Sequence, residues 1–382
     1  MSGGSWAPTG ELPWERNLFG AQSGAVLLRE GSVMIAGGGD GRLTAQDGAA
    51  LYDPRAGVWR TATPLPEPRR MHSTTALADG RVLVAGGYGS SGFPVPALDT
   101  AVVYDPVERS WSQTGPMHGG RYGHSATPLP DGRVLVAGGS AARSSDSERA
   151  LLSAEIFDPE SGAWTPTGPM DDARSFHPAV PLPDGGVLVA GGWVVTGRGW
   201  PGGAGLAGCE RYSPATGRWT STGALTTPRT GHRLTALTDG TVLATGGGDP
   251  DGGVQGRPDP YSRATAERFD PVAGVWSRTA DMPFGTAMHH AVLLPTGEVM
   301  VVGGTNGALG EAGLRAAARY HPGVGAWTRE RGMAVGRVDF AATLLADGRV
   351  LVAGGAERTG PATRAGGYHQ LTSTSELFLL RM

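Results

Sequence analysis

Seven times along the chain a short apolar run ends in a pair of glycines: Gly37-Gly38, Gly86-Gly87, Gly138-Gly139, Gly191-Gly192, Gly246-Gly247, Gly303-Gly304 and Gly354-Gly355. The runs, such as Val82 to Ala85, are apolar at every position instead of alternating, which suits strands covered on both faces. Around each run the text repeats. An Arg-x-x-His segment comes first, then a Leu-x-Asp-Gly turn, the apolar run with its glycines, a loop of varying length, Tyr-Asp-Pro-x-x-Gly-x-Trp, and a Pro-Met or Pro-Leu. In the unit starting at Arg121, four strands follow. Strand a is expected at Tyr122 to Pro128, a two-residue hairpin at Asp131-Gly132, strand b at Val134 to Ala137, strand c ending at Ile156-Phe157, a turn at Asp158-Pro159 and strand d from Trp164. No segment carries a sustained helical period.

Units of roughly 50 residues, each unable to bury its apolar faces alone, predict an all-β propeller of seven four-stranded blades. The recurring Trp59, Trp111, Trp164, Trp219, Trp276 and Trp327 are placed to pack between blades. The seventh unit has no such Trp. Its missing strand is found at the other end, where Trp6-Ala7-Pro8-Thr9-Gly10 matches Trp164-Thr165-Pro166-Thr167-Gly168. Residues 1–13 are therefore expected to complete blade 7, pairing with the C-terminal strands and leaving no open sheet edge, with residues 1–382 forming one propeller.

These motifs resemble the kelch-repeat family over essentially the whole chain, and the Leu-Pro-Asp-Gly-Arg-Val-Leu-Val-Ala-Gly-Gly wording is most similar to bacterial kelch proteins and the kelch blades of galactose oxidase. That enzyme's copper-radical centre is built from two Tyr and two His, one Tyr cross-linked to a Cys. Tyr122-Gly123-His124 resembles part of it. The lone Cys209 falls on an expected strand c and no second Tyr-His set is present, so no copper-radical cofactor is expected. Cofactors and metals otherwise stay open.

Sixty-four Gly and 29 Pro fit many tight turns. A net charge of −3 gives no pull toward nucleic acid or an acidic membrane surface, so neither is an expected partner. All 32 basic residues are Arg, which excludes lysine Schiff-base chemistry. One cysteine, no apolar run of membrane-spanning length and no leader-like start at Met1 to Gly20 point to a cytoplasmic, monomeric protein.

In a four-stranded meander the a–b and c–d turns share one face, and the b–c loops and d–a connections share the other. The Asp-Gly turns, from Asp79-Gly80 to Asp347-Gly348, are read as turn formers; the variable opposite face is where binding is expected. There, Trp193 and Trp200 in the long blade 4 loop could cap a ligand or pin the loop. Asp249-Pro250-Asp251-Gly252 has too few oxygen ligands for calcium and reads as a polar turn. The repeated Arg69, Arg121, Arg174, Arg229 and Arg337, with His72, His124, His177, His232 and His289, are expected to serve the fold, since every blade uses them.

Departures from the repeat cluster on consecutive blades. Blade 6 has Thr286 for Arg and adds His290 after His289; blade 7 has Asp339-Phe340 in place of x-His; blade 1 is read with Gln22-Ser23 there. Gln22, Met288, His289, His290 and Asp339 would then line one arc of the central mouth, unless these positions merely tolerate drift. The primary expectation is a propeller that binds a small molecule or peptide on the b–c and d–a face. The alternative is a metal-dependent or acid/base enzyme of isomerase, lyase or cyclase type. In it His290 would act as base, Asp339 as its partner, Arg233 as anion holder, and Tyr122 and Tyr88 as hydroxyl donors.

Overall fold

The computed structural model describes residues 4–18, 24–42, 44–89, 96–141, 149–195, 203–248, 253–254, 257–258, 263–306, 313–358 and 370–380. Seven four-stranded antiparallel sheets are arranged as a seven-bladed β-propeller, with no helix among the described residues. Blade 3 is typical, with strands Ser125–Pro128, Val134–Ala137, Ala154–Phe157 and Trp164–Thr167 in chain order. Its strand a starts at Ser125, later than the sequence suggested, because Gly123 is left-handed (φ 60°) and breaks the extended run. Tyr122 still pairs, through an isolated bridge to Ser140.

Blade 7 is assembled from both ends of the chain. Strands Ala341–Leu344, Val350–Ala353 and Ser375–Leu379 are completed by Ser5–Thr9, with Trp6 opposite Phe378. The two rings lie 5.2 Å apart.

The b strands are fully buried, as their unbroken apolar character requires. Each core cluster spans a pair of neighbouring blades: Trp59 and Tyr52 of blade 1 pack with Leu351 and Leu377 of blade 7. The repeated Trp stacks obliquely on the Tyr or Phe of strand c, as for Tyr52–Trp59 at 5.1 Å and Phe157–Trp164 at 5.0 Å.

The Arg-x-x-His segments serve this framework. Arg121 donates from Nη1 to the carbonyls of Gly138 and Ser153 and from Nη2 to Glu155 at 2.6 Å. Arg174–Glu210, Arg229–Glu267 and Arg337–Glu376 repeat the pair. The histidines reach across blade seams: His124 Nε2 meets Ser73 Oγ at 2.9 Å, and His177 Nε2 meets Ser125 Oγ at 3.0 Å.

Candidate functional site

The chain enters every blade from the b–c side, and the third residue of each Arg-x-x-His segment sits at the entrance to the central channel. Six of these residues are left-handed: Met71, Gly123, Phe176, Gly231, Met288 and Asp339, with φ between 51° and 62°. Amides join them from blade to blade; Gly123 N–H donates to Met71 O, Phe176 to Gly123 O, Met288 to Gly231 O, and Leu18 to Asp339 O, at 2.7–3.0 Å. Four of the six carry side chains in a conformation that costs an L-residue about 1–2 kcal/mol. The collar thus holds strained, non-glycine residues where a ligand would enter.

The Leu18 link corrects the reading of blade 1. Gly355 N–H donates to Arg16 O just as Gly304 N–H donates to Arg337 O, so Arg16-Asn17-Leu18 occupies the repeat position assigned above to Gln22-Ser23. Gln22 lies outside the described residues, as do Trp200 and the Asp249-Pro250-Asp251-Gly252 turn. Nothing in the local text marks the register, because the Leu18 position has neither the glycine nor the following His of the repeat.

Below the collar a cavity of about 280 Å³ runs along the axis, lined by Thr74, Thr127, Pro178, Arg233, His290 and Ala342 among others. Arg233 and His290 each follow the repeat His of their blade, one step deeper than the collar. Arg233 Nε donates to His289 O at 2.6 Å, which turns the guanidinium along the channel wall. Its two Nη groups make no protein hydrogen bond among the described residues. His290 Nε2 contacts Phe340 O at 2.8 Å, so that nitrogen carries the proton and donates.

Burial pushes the Asp339 carboxyl up to about 7, opposed by a hydrogen bond with Asn17 and by the charge of Arg233. Burial likewise draws the Arg233 guanidinium down to about 10, with Asp339 pulling the other way. His290 is pushed down to about 3, by burial first and Arg233 second, and is neutral at physiological pH. The result is one cation, one neutral imidazole and one carboxyl near half-protonation around a polar channel.

Other expected site residues lie elsewhere. His289 is fully buried with Nε2 at 2.8 Å from Thr245 Oγ1, a seam contact like those of the other repeat histidines. Met288 belongs to the collar and packs against Val338, Ala356 and Leu371. Tyr88 and Tyr122 are buried and stacked at 4.1 Å, with Arg70 over the Tyr88 ring at 5.6 Å; neither lines the channel cavity. Trp193 is also buried and pairs with Ser175 through the backbone. Phe340, which could have plugged the channel, instead fills the seam under Gly303 in the place of the repeat His.

The family model described as Kelch motif matches residues 69–118 and 120–171, which are successive repeats beginning at Arg69 and just before Arg121. These stretches are kelch repeats. Similar kelch proteins include human Kelch-like protein 34, 30% identical over 234 residues (59% of this chain and 33% of the relative), and mouse Kelch-like protein 40, 28% identical over 228 residues (58% and 34%). The chain spans about a third of the length of these curated relatives. Among solved structures, a likeness in fold is found to a fungal alcohol oxidase of the AA5 family in complex with copper, with a TM-score of 0.71, 20% identity, and coverage of 98% of this chain and 76% of that one.

Among the described residues no three His, Cys, Asp or Glu side chains converge on a point. Cys209 is buried, its thiol pushed up to about 11 by burial and bonded to Ala207 O, far from the thiolate character a ligand or cross-link needs.

Proposed function

We propose that this kelch propeller binds a small carboxylate at the mouth of its central channel, entering through the collar on the b–c and d–a face. The observation that carries the reading is Arg233: a cation fixed by one hydrogen bond to His289 O, with both Nη groups left to a ligand and a polar cavity beside it. A guanidinium presents its donors in a fork matched to a carboxylate. Asp339, protonated part of the time, can donate a further hydrogen bond to the same group. The test is calorimetry with small mono- and dicarboxylates against the native chain and Arg233→Gln. A charge-assisted contact of about 1.5–3 kcal/mol implies roughly 10- to 100-fold weaker binding in the variant. Carboxylate affinities that Arg233→Gln leaves unchanged would remove the proposal.

Asp339 favours a second reading, an acid/base enzyme acting on the bound carboxylate. A carboxyl with its pKa near 7 is suited to exchange a proton at neutral pH. Proton NMR in heavy water tests it: exchange of a ligand's α-hydrogens, abolished in Asp339→Asn, is the expected signature. Binding without exchange leaves the channel a binding site only.

A further inference from the structure

A different arginine marks a second site. At strand c the residue opposite the middle of strand b decides what the repeat Arg pairs with. It is Glu155, Glu210, Glu267 and Glu376 in blades 3, 4, 5 and 7. In blade 2 it is Val102, and Glu67 takes over as the partner of Arg69 at 3.3 Å. In blade 6 it is Ala318, and the Arg is gone as well, replaced by Thr286, whose Oγ1 donates to Gly303 O. Blade 1 also lacks that acid, with Ala50 in its place, and keeps the cation, Arg16, but among the described residues no other acid takes over as its ion-pair partner.

Arg16 is 4% exposed, yet its guanidinium makes no hydrogen bond and no ion pair among the described residues. Its guanidinium lies over Trp14, 4.8 Å from the ring centroid. A buried guanidinium without acceptors is costly. It also lines a surface cavity of about 320 Å³ on the b–c side of blade 1, whose other walls are Trp14, Glu15, Asp40, Gln46, Asp47 and the apolar Ala62 and Pro64. Asp47 and Asp40 are near enough for their charges to act on Arg16, but not within ion-pair distance, so a gap separates cation from carboxylates. A simple anion entering that gap would meet Asp40, Asp47 and Glu15; a simple amine would meet Arg16. A ligand carrying both charges on adjacent atoms satisfies both sides.

We infer that this cavity is a binding site for a free α-amino acid with an apolar side chain. The ligand carboxylate takes the fork of Arg16, its ammonium faces Asp47 and Asp40, and its side chain lies against Ala62 and Pro64. The site is separate from the channel and does not depend on the carboxylate reading given above.

Calorimetry on the full chain with L-leucine tests this, beside 3-methylbutylamine and 4-methylpentanoate, which each lack one of its charges. Leucine is expected to bind at least about tenfold tighter than either analogue, Asp47→Asn to weaken it several-fold, and Arg16→Met to abolish binding. Asp47 is exposed, so its substitution leaves the core intact if Arg16→Met does not fold. Arg233→Gln is expected to leave leucine binding unchanged, which separates the two sites. Absence of leucine binding at millimolar concentration overturns the inference, as do equal affinities for the analogues, indifference to Asp47→Asn, or loss of leucine binding in Arg233→Gln.

Discussion

Asp339 combines a left-handed backbone, a raised pKa and a place at the channel mouth. Because its folded pKa lies above that of an ordinary carboxyl, the folded state holds its proton more tightly than the unfolded chain. Stability from this group is therefore present at low pH and is lost as pH rises from about 4 toward 7. Asp339→Asn removes the loss. Urea unfolding at pH 8 should find the variant more stable by on the order of 2 kcal/mol, after discounting for water in the channel, with the gap narrowing toward pH 5. A constant gap would show that the carboxyl titrates normally. Residues of this kind were legible in the sequence as breaks in a sevenfold pattern, which is how Arg233, His290 and Asp339 stood out. Arg16 and Asn17 were not, because their blade lacks the His that sets the register, and Gln22 took their place in the reading.

Within a blade, the strand-c Glu and the repeat Arg act as a pair: blades 3, 4, 5 and 7 keep both, whereas blades 1 and 2 keep the Arg without that Glu. Blade 6 replaces both members, with Thr286 and Ala318. Glu267→Ala alone strands Arg229, whose side chain is fully buried, and is expected to cost about 3–5 kcal/mol in urea unfolding. Adding Arg229→Thr, which copies blade 6, should recover part of that loss even though it deletes more contacts. A double variant less stable than Glu267→Ala would mean that the arginine's carbonyl contacts at Gly246 and Thr265 outweigh its charge. Blade architecture was readable from the double glycines, the Asp-Gly turns and the Trp positions, since each is a local demand of a strand or turn. The pairing of Arg with Glu was not, because the two lie more than thirty residues apart and meet only when strands b and c align.

At the scale of the whole molecule, six histidines are buried among the described residues: His72, His124, His177, His232, His289 and His290. Burial lowers the pKa of each, to about 3 for His72, His124, His232 and His290. For His177 and His289 it falls well below the usual value. These groups are neutral when folded and charge on unfolding, so their contribution is intact above pH 6.5 and is lost as pH falls. At one pH unit below 6.5 each costs about 1.4 kcal/mol, and six together approach the ~5–15 kcal/mol that holds a typical domain. Cooperative acid unfolding between about pH 6 and 4.5, with uptake of several protons, is expected by tryptophan fluorescence and potentiometry. Native emission at pH 4 would contradict it. Ring closure also acts at this scale. The strand at Ser5–Thr9 is synthesised 366 residues (375 minus 9) before its partner at Ser375–Leu379. At about 5–20 residues per second that is a wait of roughly 20–70 s. For all that time the nascent chain carries an unmated β-strand, so the ring stays open until the strand at Ser375–Leu379 has been made and can dock onto it.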